Sequence, residues 1–528
     1  MFDIVIENGR VLDGSGNPWF TADVGVQDGK VAKIGRLKGE SARERIDAAG
    51  RYVAPGFIDI HSHSDALPFL KPYETAKLMQ GVTTETVGNC GISVMPVSRE
   101  HLDLLKKYCS SILTGVSMPW DWKGVDDYLR RVEAERPVGN VATLVGHGTV
   151  RIAVMGFVDR EPVPSELEQM KTLVAQAMDE GAFGMSTGLI YPPGVYSRTA
   201  ELVELGKVVA GKGGIYTSHI RDETDAVIAA VKEALEVGKQ AGVPVQISHH
   251  KTAGRTNWGK SRATLHLIDE ARLQGIDVTC DAYPYIAGST MLGALLPPWA
   301  QEGGVHKMLD RLKAPENRTR ITRELDEGLP GWQNFYKASG WDKIMLAAAR
   351  TNKSYEGQSL AQIAEQRKGD PAEVLFDILL EEEGDALMVL FMMSEDDVTN
   401  ILKHPAVMVG SDGIYSSGKP HPRYHGTFPR ILRKYVREDR ALALPDAIRK
   451  MSSFPAWRLG LRDRGLLAKG AWADVVVFDL AVVEDTATFL EPLAQPRGIE
   501  YVLVNGQVAV RQGRFTGAAA GRVLRKTA

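Results

Sequence analysis

Apolar residues in the middle of the chain come in short runs, and each run ends in a polar, chemically loaded tip. Residues 52–60 lead into His61-Ser62-His63, 83–87 into Gly88-Asn89-Cys90-Gly91, 141–145 into Gly146-His147-Gly148, and 184–186 into Thr187-Gly188-Leu189. Further on, 214–217 lead into Ser218-His219, 243–247 into Ser248-His249-His250-Lys251, 276–280 into Asp281-Ala282-Tyr283-Pro284, and 407–409 into Gly410-Ser411-Asp412-Gly413. Between several of these runs the apolar spacing turns helical, as over 164–180, 224–240 and 263–274. Eight strands alternating with helices, with reactive residues at their C-terminal ends, predict an α/β fold of the (β/α)8 or TIM barrel type over 55–462. The gap between the seventh and eighth strands is unusually long. Its aromatic and Pro-bearing part, 296–341, predicts an insertion over about 292–345 near the barrel mouth, placed as a lid would be. Helical segments such as 370–382 follow it.

The two ends have a different texture. Short apolar runs at 3–6, 8–12, 22–26 and 31–34 are separated by turns such as Gln27-Asp28-Gly29-Lys30. The last sixty or so residues repeat this, with a strand at 473–479 and an Asn505-Gly506 hairpin within 501–509. Residues 1–54 and 463–528 are therefore expected to build one small β-sandwich domain together.

Composition narrows the class. Hydrophobic residues make up 44% of the 528 and charged residues 24%, ordinary for a globular enzyme. The formal net charge is only −3, which gives no electrostatic case for a nucleic-acid or membrane partner. No run reaches the length of a membrane span, and the start of the chain lacks a basic segment followed by an apolar one. Three sparse cysteines, Cys90, Cys109 and Cys280, do not make a disulfide framework and fit a reducing compartment. A cytoplasmic location is expected.

His61 and His63 are two apart, and on a strand such side chains point to the same side. Histidine pairs at this spacing also occur as surface or packing residues, but here an apolar strand delivers both to its end. Cys109 and Cys280 are expected to be small buried hydrophobes. Cys90 differs because glycines flank its tip, and thiolate is a strong zinc ligand. His219 and His249 each follow a serine at the ends of the fifth and sixth runs, while His250 alternates to the other side and is expected to pack. Asp412 alone would be an ordinary turn residue. Together His61, His63, Cys90, His219, His249 and Asp412 put six ligand-type residues at five of eight strand ends, which points to a metal site.

These residues carry a resemblance. The chain resembles the amidohydrolase superfamily and, within it, the N-acyl-D-amino-acid deacylases (D-aminoacylases). The matching features are Pro55-Gly56-Phe57-Ile58-Asp59 leading into the histidine pair, Gly88-Asn89-Cys90-Gly91, Ser218-His219-Ile220-Arg221, Ser248-His249-His250-Lys251, Asp281-Ala282-Tyr283-Pro284-Tyr285, Gly410-Ser411-Asp412-Gly413 and His421-Pro422-Arg423. Near the C-terminus Gly470-Ala471-Trp472-Ala473-Asp474-Val475 resembles the superfamily's return into its β domain. Many two-metal members bridge their metals with a carbamylated lysine on the fourth strand. That tip here is Ser186-Thr187-Gly188, and Cys90 resembles the family's substitute ligand.

The resemblance implies a zinc-dependent hydrolase that splits N-acyl-D-amino acids into a carboxylate and the free D-amino acid. It implies one tightly bound Zn2+ at Cys90, His219 and His249, and a second, weaker site at His61, His63 and Asp412 whose occupancy is left open. Asp412 is expected to take the proton of a zinc-activated water and return it to the leaving amine. Lys251, Tyr283 and Arg423 resemble the clamp for the substrate carboxylate, although a lysine and an arginine are more often solvated surface charges. Ser289, Tyr191 and His147 are further pocket candidates. The partner is a small-molecule N-acyl amino acid, and the oligomeric state is open. Another amide substrate, unusual N-acyl, carboxypeptidase-like or cyclic, stays open, though the missing strand-four lysine and the Lys251 and Arg423 pair argue against a cyclic one. A non-catalytic scaffold of the same fold would be expected to have lost ligands, and all six are present.

Overall fold

The computed structural model describes residues 1–113 and 115–526. Gly56 divides the first expected strand between two sheets. Upstream, Tyr52–Pro55 pairs antiparallel with Val475–Phe478 and parallel with the end of Phe2–Val11. Downstream, Phe57–Asp59 pairs in parallel with Val82–Val87. A Cβ at position 56 would collide with the Thr83 side chain, so only glycine lets the chain pass this close to the next strand.

Both ends of the chain enter one nine-stranded sheet. Its order is Arg514–Phe515, Gln507–Arg511, Ile499–Val504, Val475–Phe478, Tyr52–Pro55, Phe2–Val11, Phe20–Gln27 and Lys30–Gly35, with Ala42–Asp47 also paired to Phe2–Val11. The apolar runs at 3–6 and 8–12 form one strand rather than two. Its register slips between Ile6 and Gly9, where Asn8 takes φ 59°, so the intervening polar residues make a bulge instead of a turn. Asn505 and Gly506 have φ 49° and 80°, the paired positive values that a two-residue hairpin needs. Alternate residues, among them Ile4, Ile6, Val24, Val26, Val475 and Val477, give this sheet a core of its own.

The middle of the chain is mixed α/β. Phe57–Asp59, Val82–Val87 and Asn140–Thr143 pair in parallel in that order. Val145–Gly146, Gly184–Gly188, Ile215–His219, Val245–Ile247, Val278–Ala282 and Val407–Val409 form a second parallel set in chain order. Leu144 alone separates the two sets along the chain, and its N–H donates to Val87 at 2.9 Å. The far edges also meet: Ser62 bridges Gly413, and the Asp412 N–H donates to the His61 carbonyl at 2.7 Å.

Helices join most of the consecutive parallel strands. Pro164–Asp179 opens on proline, its Glu166 accepts the Val163 N–H at 2.8 Å, and Met170, Val174, Ala177 and Met178 form its buried stripe. The helix expected from residue 224 starts three residues later, as Val227–Ala241. Asp222 accepts both the N–H and the hydroxyl of Thr224, at 2.5 and 2.7 Å, and holds that stretch as a turn.

Between Val278–Ala282 and Val407–Val409, the strands Ala287–Met291, Leu387–Phe391 and Ile344–Ala348 form a separate antiparallel sheet in that order. The stretch expected as an insertion over 292–345 thus lies inside a unit running from residue 287 to 391. Leu387–Phe391 is apolar throughout, and such a run does not reveal whether it pairs parallel or antiparallel. Among the described residues no helix is long and apolar enough to cross a membrane.

Candidate metal centre

Cys90, His249 and Asp412 each stand just past a strand, and all three have left-handed backbone, with φ of 53°, 34° and 51°. Residues with a Cβ rarely adopt this conformation. Three such turns at one end of the parallel strands aim three ligand-type side chains at a common point.

The Cys90 Sγ lies 3.3 Å from His61 Nε2 and 3.4 Å from His249 Nε2. Asp412 Oδ1 is 3.4 Å from His61 Nε2 and 3.2 Å from His63 Nε2. His219 meets His249 edge to face, with ring centres 4.3 Å apart, and its Nε2 is 3.7 Å from Glu223. The ligand-type atoms fall into two groups: His61, Cys90, His249 and Asp412, and His219, Glu223 and His249. His249 belongs to both. The division implied by resemblance is therefore less sharp in space, since Cys90 stands as near His61 as His249.

Asp281 positions two of these ligands. Its Oδ1 is 3.1 Å from His61 Nδ1 and accepts the His249 backbone N–H at 2.8 Å, while Gln246 donates to its Oδ2 at 2.7 Å. With Nδ1 engaged, His61 turns Nε2 towards Cys90 and Asp412. Sequence reasoning quoted Asp281 but gave it no role, although it occupies a strand tip like the ligands. It missed Glu223 altogether. That carboxylate follows His219 by four residues, at no strand tip, and its one signal is that spacing from a candidate ligand.

The donors suit a metal ion. Both ring nitrogens of His219 and the Nδ1 of His63 are buried without a hydrogen-bond partner among the described residues. A buried imidazole with neither nitrogen satisfied is costly, and a metal would supply the missing partner. Tetrahedral zinc bonded to sulphur and nitrogen separates those atoms by about 3.6 Å, close to the sulphur–nitrogen distances here.

Charge at the centre is polarised. Burial alone would push the Cys90 thiol up, but the His61 and His249 rings hold it well below its ordinary value, as a thiolate. Burial likewise opposes the Asp412 carboxylate, yet the Arg423 guanidinium and then His249 hold its pKa well below the usual range. Desolvation opposes Glu223 too, and Lys251 and His219 override it, so that it stays ionised. Lys251 in turn is pushed up against its burial, chiefly by Glu223.

One cavity collects His63, Cys90, His219, His249 and Asp412 with Lys251, Tyr283, Ser289, Tyr191 and Arg423. His61 stands behind its wall. Lys251 donates to Glu223 at 2.6 Å, and its Nζ is 2.7 Å from His249 Nδ1. Arg423 Nη1 lies 2.8 Å from Asp412 Oδ2 as an ion pair and the guanidinium donates to the Ser289 carbonyl at 3.0 Å, while its Nε and Nη1 are buried without a hydrogen-bond partner among the described residues. Both cations lie over the Tyr283 ring, at 5.4 and 4.8 Å from its centre. The Tyr191 hydroxyl is 2.9 Å from that of Thr290. Neither Lys251 nor Arg423 is a solvated surface charge: both are buried. His147 does not join them. It opens the helix His147–Met155, and its Nε2 sits 2.7 Å from Glu201, which also pairs with Arg151. Of the two roles open to His147, pocket lining or structure, this buried cluster with Glu201 and Arg151 favours the structural one.

Thiolate, imidazole and carboxylate donors gathered beside buried cations at the ends of parallel strands define a metal-dependent hydrolase. The match to the Amidohydrolase family over residues 44–510 agrees, and the chain belongs to that family. It is 39% identical over 532 residues to a D-aminoacylase of Alcaligenes xylosoxydans xylosoxydans, covering 100% of this chain and 98% of the relative. It is 40% identical over 531 residues to an N-acyl-D-glutamate deacylase of the same organism, covering 100% and 97%. Among solved structures it resembles the N-acyl-D-glutamate deacylase of Bordetella bronchiseptica, complexed with zinc and a phosphonate mimic of the tetrahedral intermediate. That match has a TM-score of 0.83 and 38% identity, and it covers 99% of this chain and 100% of the other.

Proposed function

We propose that this protein hydrolyses N-acyl-D-amino acids to a carboxylate and the free D-amino acid, with Zn2+ as its metal. The observation that carries the reading is one buried cavity in which Cys90, His219, His249 and Asp412 face Lys251, Tyr283 and Arg423. Cys90, His219 and His249 would hold zinc, and His61, His63 and Asp412 would offer a second position. A zinc ion held there would supply Lewis acidity to activate a water and polarise the acyl carbonyl.

The chain's own residues supply the rest. Asp412, kept ionised beside Arg423, takes a proton from the attacking water and passes it to the departing nitrogen. Lys251 and the free Nε of Arg423 donate to the substrate carboxylate, and the Tyr283 hydroxyl adds a third donor. Glu223 fixes Lys251 beside His249. The D configuration is supported by the relatives named above.

The architecture we propose for this site is a closed (β/α)8 barrel. The Ser62–Gly413 bridge supports it, as does the packing of Ile58, Leu144, Phe183, Ile215 and Met408, in or beside strands of both parallel sets, into one cluster. The nine-stranded terminal sheet would be the small β-sandwich domain, and the 287–391 unit would cover the barrel mouth. Three buried, unpaired cysteines suit a reducing, cytoplasmic setting.

Release of free amine from a panel of N-acetyl-D- and N-acetyl-L-amino acids tests the function. Cleavage should be confined to D-substrates, disappear with a chelator and return with zinc. Cleavage confined to L-substrates would overturn the proposal.

A further inference from the structure

The cavity wall that faces away from the metal donors has no role in the chemistry described so far. From it we infer that the enzyme accepts N-acyl-D-amino acids with large, uncharged, apolar side chains and rejects those of D-glutamate and D-aspartate. The inference rests on the function proposed above and narrows its substrate class. Overall similarity does not make this choice, because identity is 39% to a D-aminoacylase and 40% to an N-acyl-D-glutamate deacylase.

An acidic substrate brings two carboxylates into the cavity. One belongs beside every amino acid's α-carbon, and Lys251 and Arg423 are positioned for it. The second needs a further cation, because burying an unpaired carboxylate is strongly unfavourable. Among the described residues that line the cavity, Lys251 and Arg423 are the only lysine and arginine. Each already faces a protein anion, Lys251 with Glu223 at 2.6 Å and Arg423 with Asp412 at 2.8 Å. The lining histidines His63, His219 and His249 belong to the metal centre.

The remaining wall is mostly apolar, with Ile92, Ile112, Met291, Phe335, Leu390 and Met392 among its residues and Ser111 and Ser289 as polar exceptions. Met291, Phe335 and Leu390 come from the 287–391 unit, and Met392 directly follows it. Two thioethers in one wall adapt to large side chains of different shape. Of the lining hydroxyls, those of Tyr191 and Thr290 are bonded to each other. The next basic groups outward, Lys106, Lys107, His306, Arg350 and Lys353, line a different cavity that meets this one at Ser111 and Met291, so none of them belongs to the wall that would receive the side chain. Of these, Lys107 and Arg350 are paired with Asp385 and Glu383, at 3.5 and 3.1 Å. Whether the apolar wall takes the side chain or the acyl group, the described residues lining this cavity offer a second carboxylate no further lysine or arginine.

The test uses the full-length, zinc-loaded protein and compares kcat/KM for the N-acetyl derivatives of D-leucine, D-methionine, D-phenylalanine, D-glutamate and D-aspartate. The γ-methyl ester of N-acetyl-D-glutamate is included because it keeps the length of the acidic side chain and removes its charge. At least one apolar substrate should exceed both acidic ones by 100-fold or more, and the ester should exceed its parent acid by at least tenfold. N-acetyl-D-glutamate turned over within tenfold of the best apolar substrate would overturn the inference and leave the proposed function standing. Failure to cleave any of the N-acetyl-D-amino acids would overturn both.

Discussion

Asp412 is in contact with two imidazoles and a guanidinium, and each favours its charged form. A carboxylate so held is ready to accept a proton only when the reaction presents one, and that is the role proposed for it. Asp412→Asn keeps the volume and one acceptor oxygen but removes the base. It should lower kcat by roughly a thousandfold or more. Zinc content, measured by elemental analysis, should stay near the wild-type level because Cys90, His219 and His249 are untouched. A variant that retains a tenth of the wild-type kcat would exclude Asp412 as the base. The candidate ligands stand out in the sequence because each lies where an apolar run stops. Glu223 stands at no strand tip, and the role of Asp281, though it stands at one, depends on a partner 220 residues away that no local pattern marks. His147 also occupies a strand tip, but the chain turns at once into a helix, and its ring finds Glu201.

Elements were legible where one property decides them. Apart from the run at 52–60, apolar runs located the parallel strands to within about two residues, and the Asn505-Gly506 pair located a hairpin. What was hidden depends on spatial neighbours: Gly56 splits a single apolar run because Thr83 packs against it. The last parallel strand shows how an element is fixed from outside. Lys450, on the helix Leu444–Met451, donates to the carbonyls of His404 and Val407 at 2.6 and 2.9 Å, at the start of Val407–Val409. Burial pushes this ammonium down to about 8. Between that value and the ordinary lysine pKa near 10.5, the unfolded chain holds a proton that the folded chain has released. Stability from this group therefore rises with pH across the window, and below it the folded state carries a cost on the order of 3 kcal/mol. Relative to Lys450→Met, the wild type should gain stability between pH 7.5 and 9.5, as read from paired denaturant melts. A difference that does not change with pH would mean that the ammonium stays charged in the fold.

At the scale of the molecule, the candidate ligands come from the ends of five parallel strands that are spread from residue 57 to residue 409. The nine-stranded terminal sheet contributes none and has its own core. A metal ion would thus add a further tie between segments that lie far apart along the chain. Any ligand that binds the folded chain alone stabilises it by an amount set by its concentration over its Kd, about 2.7 kcal/mol at a hundredfold excess. It would also neutralise the repulsion between Cys90 and Asp412, two buried anions. Chelation should therefore lower the melting temperature by several degrees, and added zinc should restore it. Cys90→Ser separates this effect from general chelator damage. It removes a proposed zinc ligand while leaving the strand and its turn in place, so the variant should melt near the chelated wild type and respond little to chelator. Equal melting temperatures for the wild type with and without chelator, in samples whose metal content is shown to differ, would mean that these five strand ends do not form a structural metal site.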